Sequence, residues 1–208
     1  AFKAEIAAEI AAVLAYCALQ SRDKVGLILF SDKVELCLPP KKSRGHHWQV
    51  IRDILTFHSE SRGTNLRAPL DRLIKVQKKK AVVFLISDFL GVELPSELAM
   101  VARRHDVVAI EIRDPREMTL PNVGFIELED AESGKRVVVD TRKESARRLW
   151  KDRQDTLRPA RATHFRSRGI DRVEIDTDAD PGDRLLRYFR MREVQGCMAK
   201  KAFEPPSL

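Results

Sequence analysis

Three short stretches of this chain are almost wholly apolar: Val25-Gly26-Leu27-Ile28-Leu29-Phe30, Ala81 to Ile86, and His105 to Ile112. None shows a clean alternation of polar and apolar residues. Each therefore predicts a strand covered on both faces, as strands are inside a parallel sheet flanked by helices. Between them apolar residues recur at helical spacing, as in Ile6, Ile10, Val13, Leu14 and Cys17 before the first run. Strands alternating with helices make a doubly wound α/β fold the expected class.

The other elements follow from the same periodicities. Val34 to Leu38 pairs with Val25–Phe30 as a hairpin across Ser31-Asp32, and Pro39-Pro40-Lys41-Lys42 reads as a breaker. Helices are expected over His47–Phe57, Leu66–Val76 and Glu93–Arg104. Gly124–Leu128 and Arg136–Asp140 flank Glu132-Ser133-Gly134-Lys135, which predicts an inserted polar hairpin at about 123–140. A long charged helix from Arg142 to Ser167, bent near Pro159, leads to a strand over Arg172–Ile175 and a helix over Asp183–Val194. Residues 1–195 thus read as one domain and 196–208 as a tail, as a length of 208 residues suggests.

Hydrophobic residues make up 43% and charged residues 33%, the balance of a folded domain with a charged surface. No apolar run approaches the roughly 20 residues of a membrane-crossing helix. Lys3, Glu5 and Glu9 within the first helix argue against a signal peptide, so a cytoplasmic location is expected. Cys17, Cys37 and Cys197 form no CxxC pair and are expected as reduced, mostly buried thiols. His46, His47 and His58 lack the spacing of a zinc site and are expected at the surface.

Chemistry is expected where loops gather at the carboxyl ends of parallel strands. Gly63-Thr64-Asn65 and Ser87-Asp88-Phe89 occupy two such loops. The Thr64 hydroxyl and Asp88 carboxylate are hard oxygen donors of the kind that Mg2+ or Mn2+ takes. Each has a plainer role as a helix cap. No GxxxxGK[ST], GxGxxG or GxSxG occurs to build phosphate, dinucleotide or hydrolase geometry.

Gly63-Thr64 before a helix, with an apolar strand ending Ser87-Asp88-Phe89, resembles the second and third motifs of the metal-ion-dependent adhesion site in von Willebrand factor A domains. The order DxVGLxxF (Asp23 to Phe30), RGTxL, LISDF, RHDVV (Arg104 to Val108) and DPxE (Asp114 to Glu117) is similar to the bacterial domain of unknown function 58. That resemblance implies a sheet of von Willebrand factor A type. It also implies a first motif, Asp-x-Ser-x-Ser, at the end of a central strand preceding the first helix; the numbering here starts at the helix. Mg2+ or Mn2+ would then belong to the full-length protein, with none held by this chain alone.

The same resemblance implies a non-enzymatic adaptor that works with a MoxR-type AAA+ ATPase on client proteins. Thr64 and Asp88 would form the metal site, and Gly63, Asn65, Ser87 and Phe89 the partner-binding loop face. Two rivals come from other classes. One is a metal-dependent phosphohydrolase with Asp88 as nucleophile, although Leu90 stands where a second Asp is usual. The other is a basic nucleic-acid binder, suggested by a net charge of +7, although only 6% of residues are aromatic and none interleave with the basic runs. A strand absent between Val25–Phe30 and Ala81–Ile86 would leave unpaired edges, so homodimerisation by strand exchange is a further expectation.

Overall fold

The computed structural model describes residues 2–59, 61, 63–117, 119–129 and 136–201. Helix α1 (Lys3–Gln20) opens the chain, followed by the antiparallel strands β1 (Val25–Phe30) and β2 (Val34–Lys41). Helices α2 (Arg44–Leu55) and α3 (Arg67–Val76) lead to β3 (Val82–Ser87), α4 (Ser96–Arg104) and β4 (Asp106–Arg113). After a 3-10 turn (Pro115–Glu117) come β5 (Phe125–Glu129), β6 (Arg136–Asp140), α5 (Glu144–Arg166), β7 (Asp171–Asp176) and α6 (Pro181–Lys201).

Strands β3, β4 and β7 form a parallel sheet in that order, with Leu85 opposite Ala109 and Ile110 opposite Val173. Helices cover both its faces, so the doubly wound α/β class stands. On one face Leu66, Leu70, Leu98, Val101 and Phe165 of α3, α4, α5 and their flanks meet Leu85, Val107 and Ala109. On the other, Ile6 and Ile10 of α1 and Leu185 and Tyr188 of α6 meet Val108, Ile110, Ile112, Val173 and Ile175. Residues Val107 to Ile112 are buried without a break, which is why this segment shows no alternation in sequence.

The β1–β2 hairpin is a separate two-stranded sheet, and its core is Ala15 of α1 against Val50 and Ile54 of α2. Among the described residues nothing pairs with the second edge of β1 or of β3, although α1 packs across both strands. Pro39 and Pro40 do not break β2 but lie within it. They sit at a register shift of the hairpin, where Gly26 alone lies opposite the two of them, and a bulge leaves its residues out of the ladder. Gly26 is required opposite: a Cβ there would sit 2.9 Å from Pro40 Cγ and 3.0 Å from the Leu38 carbonyl.

Histidines 46 and 47 are buried, not at the surface. His47 is fully enclosed, its ring nitrogens 2.8 Å from the Ser43 carbonyl and 2.9 Å from that of Asp23; His46 Nε2 lies 2.9 Å from the Val25 carbonyl. The pair ties the start of α2 to the start of β1, satisfying carbonyls that burial would otherwise strand. Only His58 of the three is exposed. Cys17 is likewise exposed, because it lies on the outer side of α1, and Cys37 is half-buried.

Helix α5 runs through Pro159 as one element. Helix α6 extends past the expected end at Val194 to Lys201. Of the expected tail, 202–208 lies outside the described residues, as does the 130–135 turn of the β5–β6 hairpin, including Glu132–Lys135. No helix among the described residues is long and apolar enough to cross a membrane.

His105, between α4 and β4, is buried with neither ring nitrogen hydrogen-bonded. Burial, helped by the charge of neighbouring Arg104, lowers its pKa from the usual 6.5. His164 on α5 is lowered the same way, by burial and then by Arg168. Below pH 6.5 the unfolded chain therefore takes up protons that the folded chain resists. Stability is expected to fall as pH drops through 6.5 and below, and His105→Leu should flatten that slope in thermal melts. An equal slope in the variant would remove His105 as its source.

Candidate functional site

The carboxyl end of β3 turns sharply. Phe89 N–H donates to Ser87 Oγ at 3.1 Å, Leu90 N–H donates to Asp88 Oδ1 at 3.1 Å, and Phe89 has φ +52. A bulky side chain in the left-handed region is strained, and such strain persists only where the surroundings over-determine it. Those surroundings are visible. Phe89 is 2% exposed and packs edge-on to Phe165 at 5.3 Å, while Arg161 of α5 donates to the Asp88 carbonyl at 3.1 Å. Phe89 was expected on the partner-binding face; its side chain is instead the anchor that holds the loop to the core.

Asp88 is not a helix cap, because α4 begins at Ser96 behind Pro95. Its Oδ2 accepts from Lys3 Nζ at 3.0 Å, and the same ammonium pairs with Glu117 at 2.5 Å. The start of α1 is thereby clamped between two acidic loops. Thr64 caps no helix either: α3 starts at Arg67, whose N–H donates to Asn65 Oδ1 at 2.9 Å. Asn65 N–H donates to the Ser31 carbonyl at 2.8 Å, and a Cβ on Gly63 would approach Asp32 Cβ to 3.3 Å. The Gly63–Asn65 loop is thus built against the Ser31-Asp32 turn at the end of β1. The Ser87–Phe89 loop is built against α1 and α5.

Thr64 and Asp88 share no hydrogen bond or common partner among the described residues. Neither they nor any other described group of three His, Cys, Asp or Glu residues assembles a metal-holding cluster. Asp88 already spends one carboxylate oxygen on Lys3 and the other on Leu90 N–H. Thr64 and Asp88 would supply at most two or three of the roughly six oxygens that Mg2+ or Mn2+ takes, the rest coming from water or further donors. The basic runs Lys78–Lys80 and Arg142–Lys143 are exposed.

Sequence reasoning passed over the charges beneath the loop. Glu111 of β4, its side chain 3% exposed, accepts from Arg161 at 2.9 Å and from Arg172 Nε at 2.7 Å. Arg113 grips Asp176 with two bonds of 2.8 Å and pairs with Glu174 at 2.6 Å; Arg172 also pairs with Glu174. These residues share one face because β4 and β7 run in register, Glu111 beside Glu174 and Arg113 beside Asp176. The α5 side of the sheet thus changes from apolar at Val107 and Ala109 to charged at Glu111 and Arg113. The one signal in sequence is the alternation of charges in Arg172-Val173-Glu174-Ile175-Asp176.

Comparison with known proteins agrees with this architecture. A crystal structure of the conserved hypothetical protein BatB from Bacteroides thetaiotaomicron superposes with a TM-score of 0.56, covering 93% of this chain and 88% of that one; identity is 14%, a likeness of fold alone. Uncharacterized proteins of Mycobacterium bovis and Mycobacterium tuberculosis are 28% identical over 204 residues, covering 95% of this chain. The chain spans 62% of the length of those relatives. An uncharacterized protein of Mycobacterium avium is 30% identical over 169 residues, covering 78% of this chain and 96% of its own length. Residues 1–159 match the model of the protein family of unknown function DUF58, and the chain belongs to that family.

Proposed function

We propose that this domain is a protein-binding adaptor. Its contact face is the loop pair Gly63-Thr64-Asn65 and Ser87-Asp88 at the carboxyl ends of β1 and β3. The observation that carries the reading is the strained Ser87–Leu90 turn, held from one side by Lys3 and from the other by Arg161 and Phe89. A loop already fixed in one conformation loses little entropy on binding, so its affinity for a partner is preorganised. Asn65 is exposed and Asp88 is half-buried, so both carry polar groups within reach of a partner surface.

The resemblance to the family suggests the partner: a MoxR-type AAA+ ATPase, with this domain presenting client proteins for assembly or maturation. Any role of Mg2+ or Mn2+ would draw on oxygen donors beyond Thr64 and Asp88. Calorimetric titration of this chain with either ion is therefore expected to show no saturable heat. Binding to the purified ATPase should survive chelation and weaken about tenfold, or about 1.4 kcal/mol, in Asn65→Lys and Asp88→Ala. Binding unaffected by both substitutions would remove the loop face from the adaptor, and absence of binding would remove this ATPase as its partner.

A further inference from the structure

Helices α1 and α2 leave an open groove of about 370 Å3 that no residue of the two loops described above lines. Val13 and Tyr16 of α1 line it with Trp48, Ile51 and Leu55 of α2, and Glu5 and Glu9 close one end. Val13, Tyr16, Trp48 and Leu55 are 41%, 48%, 53% and 60% exposed. Large apolar side chains concentrated in one patch mark an interaction surface, whereas singly scattered ones need no explanation.

The charges at its ends specify an occupant. His46 and His47 hold the start of α2 at Val25 and Asp23, just beyond the end of α1, whereas Lys3 holds the start of α1 at the far end of β3. The two packed helices are therefore antiparallel. Glu5 and Glu9 lie at the Leu55 end, and Arg44, four residues before Trp48 and on the same side of α2, lies at the other. Glu9 and Arg44 are exposed, and neither has an ion-pair partner among the described residues. A two-fold axis through the middle of the groove, near Val13 and Ile51, lays apolar centre on apolar centre. It also brings Glu9 of each copy to Arg44 of the other. A patch acidic at one end, apolar in the middle and basic at the other is self-complementary under that operation, the condition for an isologous interface.

We infer that the α1–α2 face is a homodimer interface, centred on Val13 and Ile51, flanked by Tyr16, Trp48 and Leu55, and closed by two Glu9–Arg44 pairs at its rim. It uses neither loop of the proposed adaptor face and neither open strand edge.

Light scattering on the intact chain tests this, with a dimer expected at about 100 µM, where a Kd of about 10 µM is largely saturated. Trp48→Glu should give a monomer with an unchanged circular dichroism spectrum, because the side chain is exposed. Arg44→Glu and Glu9→Lys should each weaken association about tenfold, since every substitution acts twice, and together they should restore it. A monomer at 100 µM, a dimer indifferent to Trp48→Glu, or no rescue by the double reversal overturns the inference. Should Trp48→Glu fail to fold, the two charge variants decide it. A dimer that all of these leave intact while the β1 and β3 amides become protected is a strand-exchanged dimer, and it too overturns the helical interface.

Discussion

Glu111→Ala is expected to lower the melting temperature by roughly 6–20 °C, the equivalent of about 3–5 kcal/mol for a domain of this size. The reason is what it leaves behind. Glu111 is the shared counter-charge of Arg161 and Arg172, whose side chains are 10% and 17% exposed. Removing the carboxylate leaves the Arg161 guanidinium with only the Asp88 carbonyl and Arg172 with only Glu174, and a buried charge without its counter-ion costs far more than a lost surface pair. Glu111→Gln keeps the volume and one acceptor oxygen, so its loss should be smaller but still measurable. A change within about 2 °C for Glu111→Ala in thermal circular dichroism would show that water reaches this network.

The network also connects stability to the contact face. Arg161 bonds Glu111 with the same nitrogen that donates to the Asp88 carbonyl, so one side chain joins the middle of β4 to the strained end of β3. A crevice of about 20 Å3 among Asp88, Glu111, Arg113, Glu117 and Arg158 is large enough for about one water. Charges this close, on rigid strands and one helix, hold the loop from below while Lys3 holds it from the side.

What was legible in sequence is what burial on both faces leaves there. Strands β3 and β4 appear as apolar runs because helices cover them on each side. The helices appear through three-and-four spacing because each buries one face. Legibility ended where a residue's role depends on a partner far along the chain. Lys3 meets Asp88 across 85 positions and Glu111 meets Arg172 across 61, distances over which no local pattern acts. His46 and His47 read as surface residues because the carbonyls of Val25 and Asp23 that hold them in the interior lie more than 20 positions earlier. Pro39-Pro40 read as a breaker because sequence does not show the bulge that they form opposite Gly26. At the candidate site, the positions of both loops were legible from strand ends. That Phe89 turns inward was not, since it follows from the aromatic partner at Phe165.

The second large effect concerns the open edges of β1 and β3. Strand β4 is paired on both sides, whereas among the described residues β3 is paired only with β4 and β1 only with β2. Amides facing an open edge exchange through local fluctuation, while those of β4 require a much larger opening. Hydrogen exchange is therefore expected to run orders of magnitude faster at the outward amides of β1 and β3 than along β4. Helix α1 already spans both strands, so a strand entering between them would find one face roofed and two ladders ready to pair. Strand exchange between two molecules offers such a segment, and apolar area covered in that way is worth about 25 cal/mol per Å2. The α1–α2 interface leaves both edges open, so exchange there should stay fast as protein concentration rises, and slowing with concentration would mark strand exchange in its place. Protection that is concentration-independent and equal to that of β4 would mean that both edges are already paired.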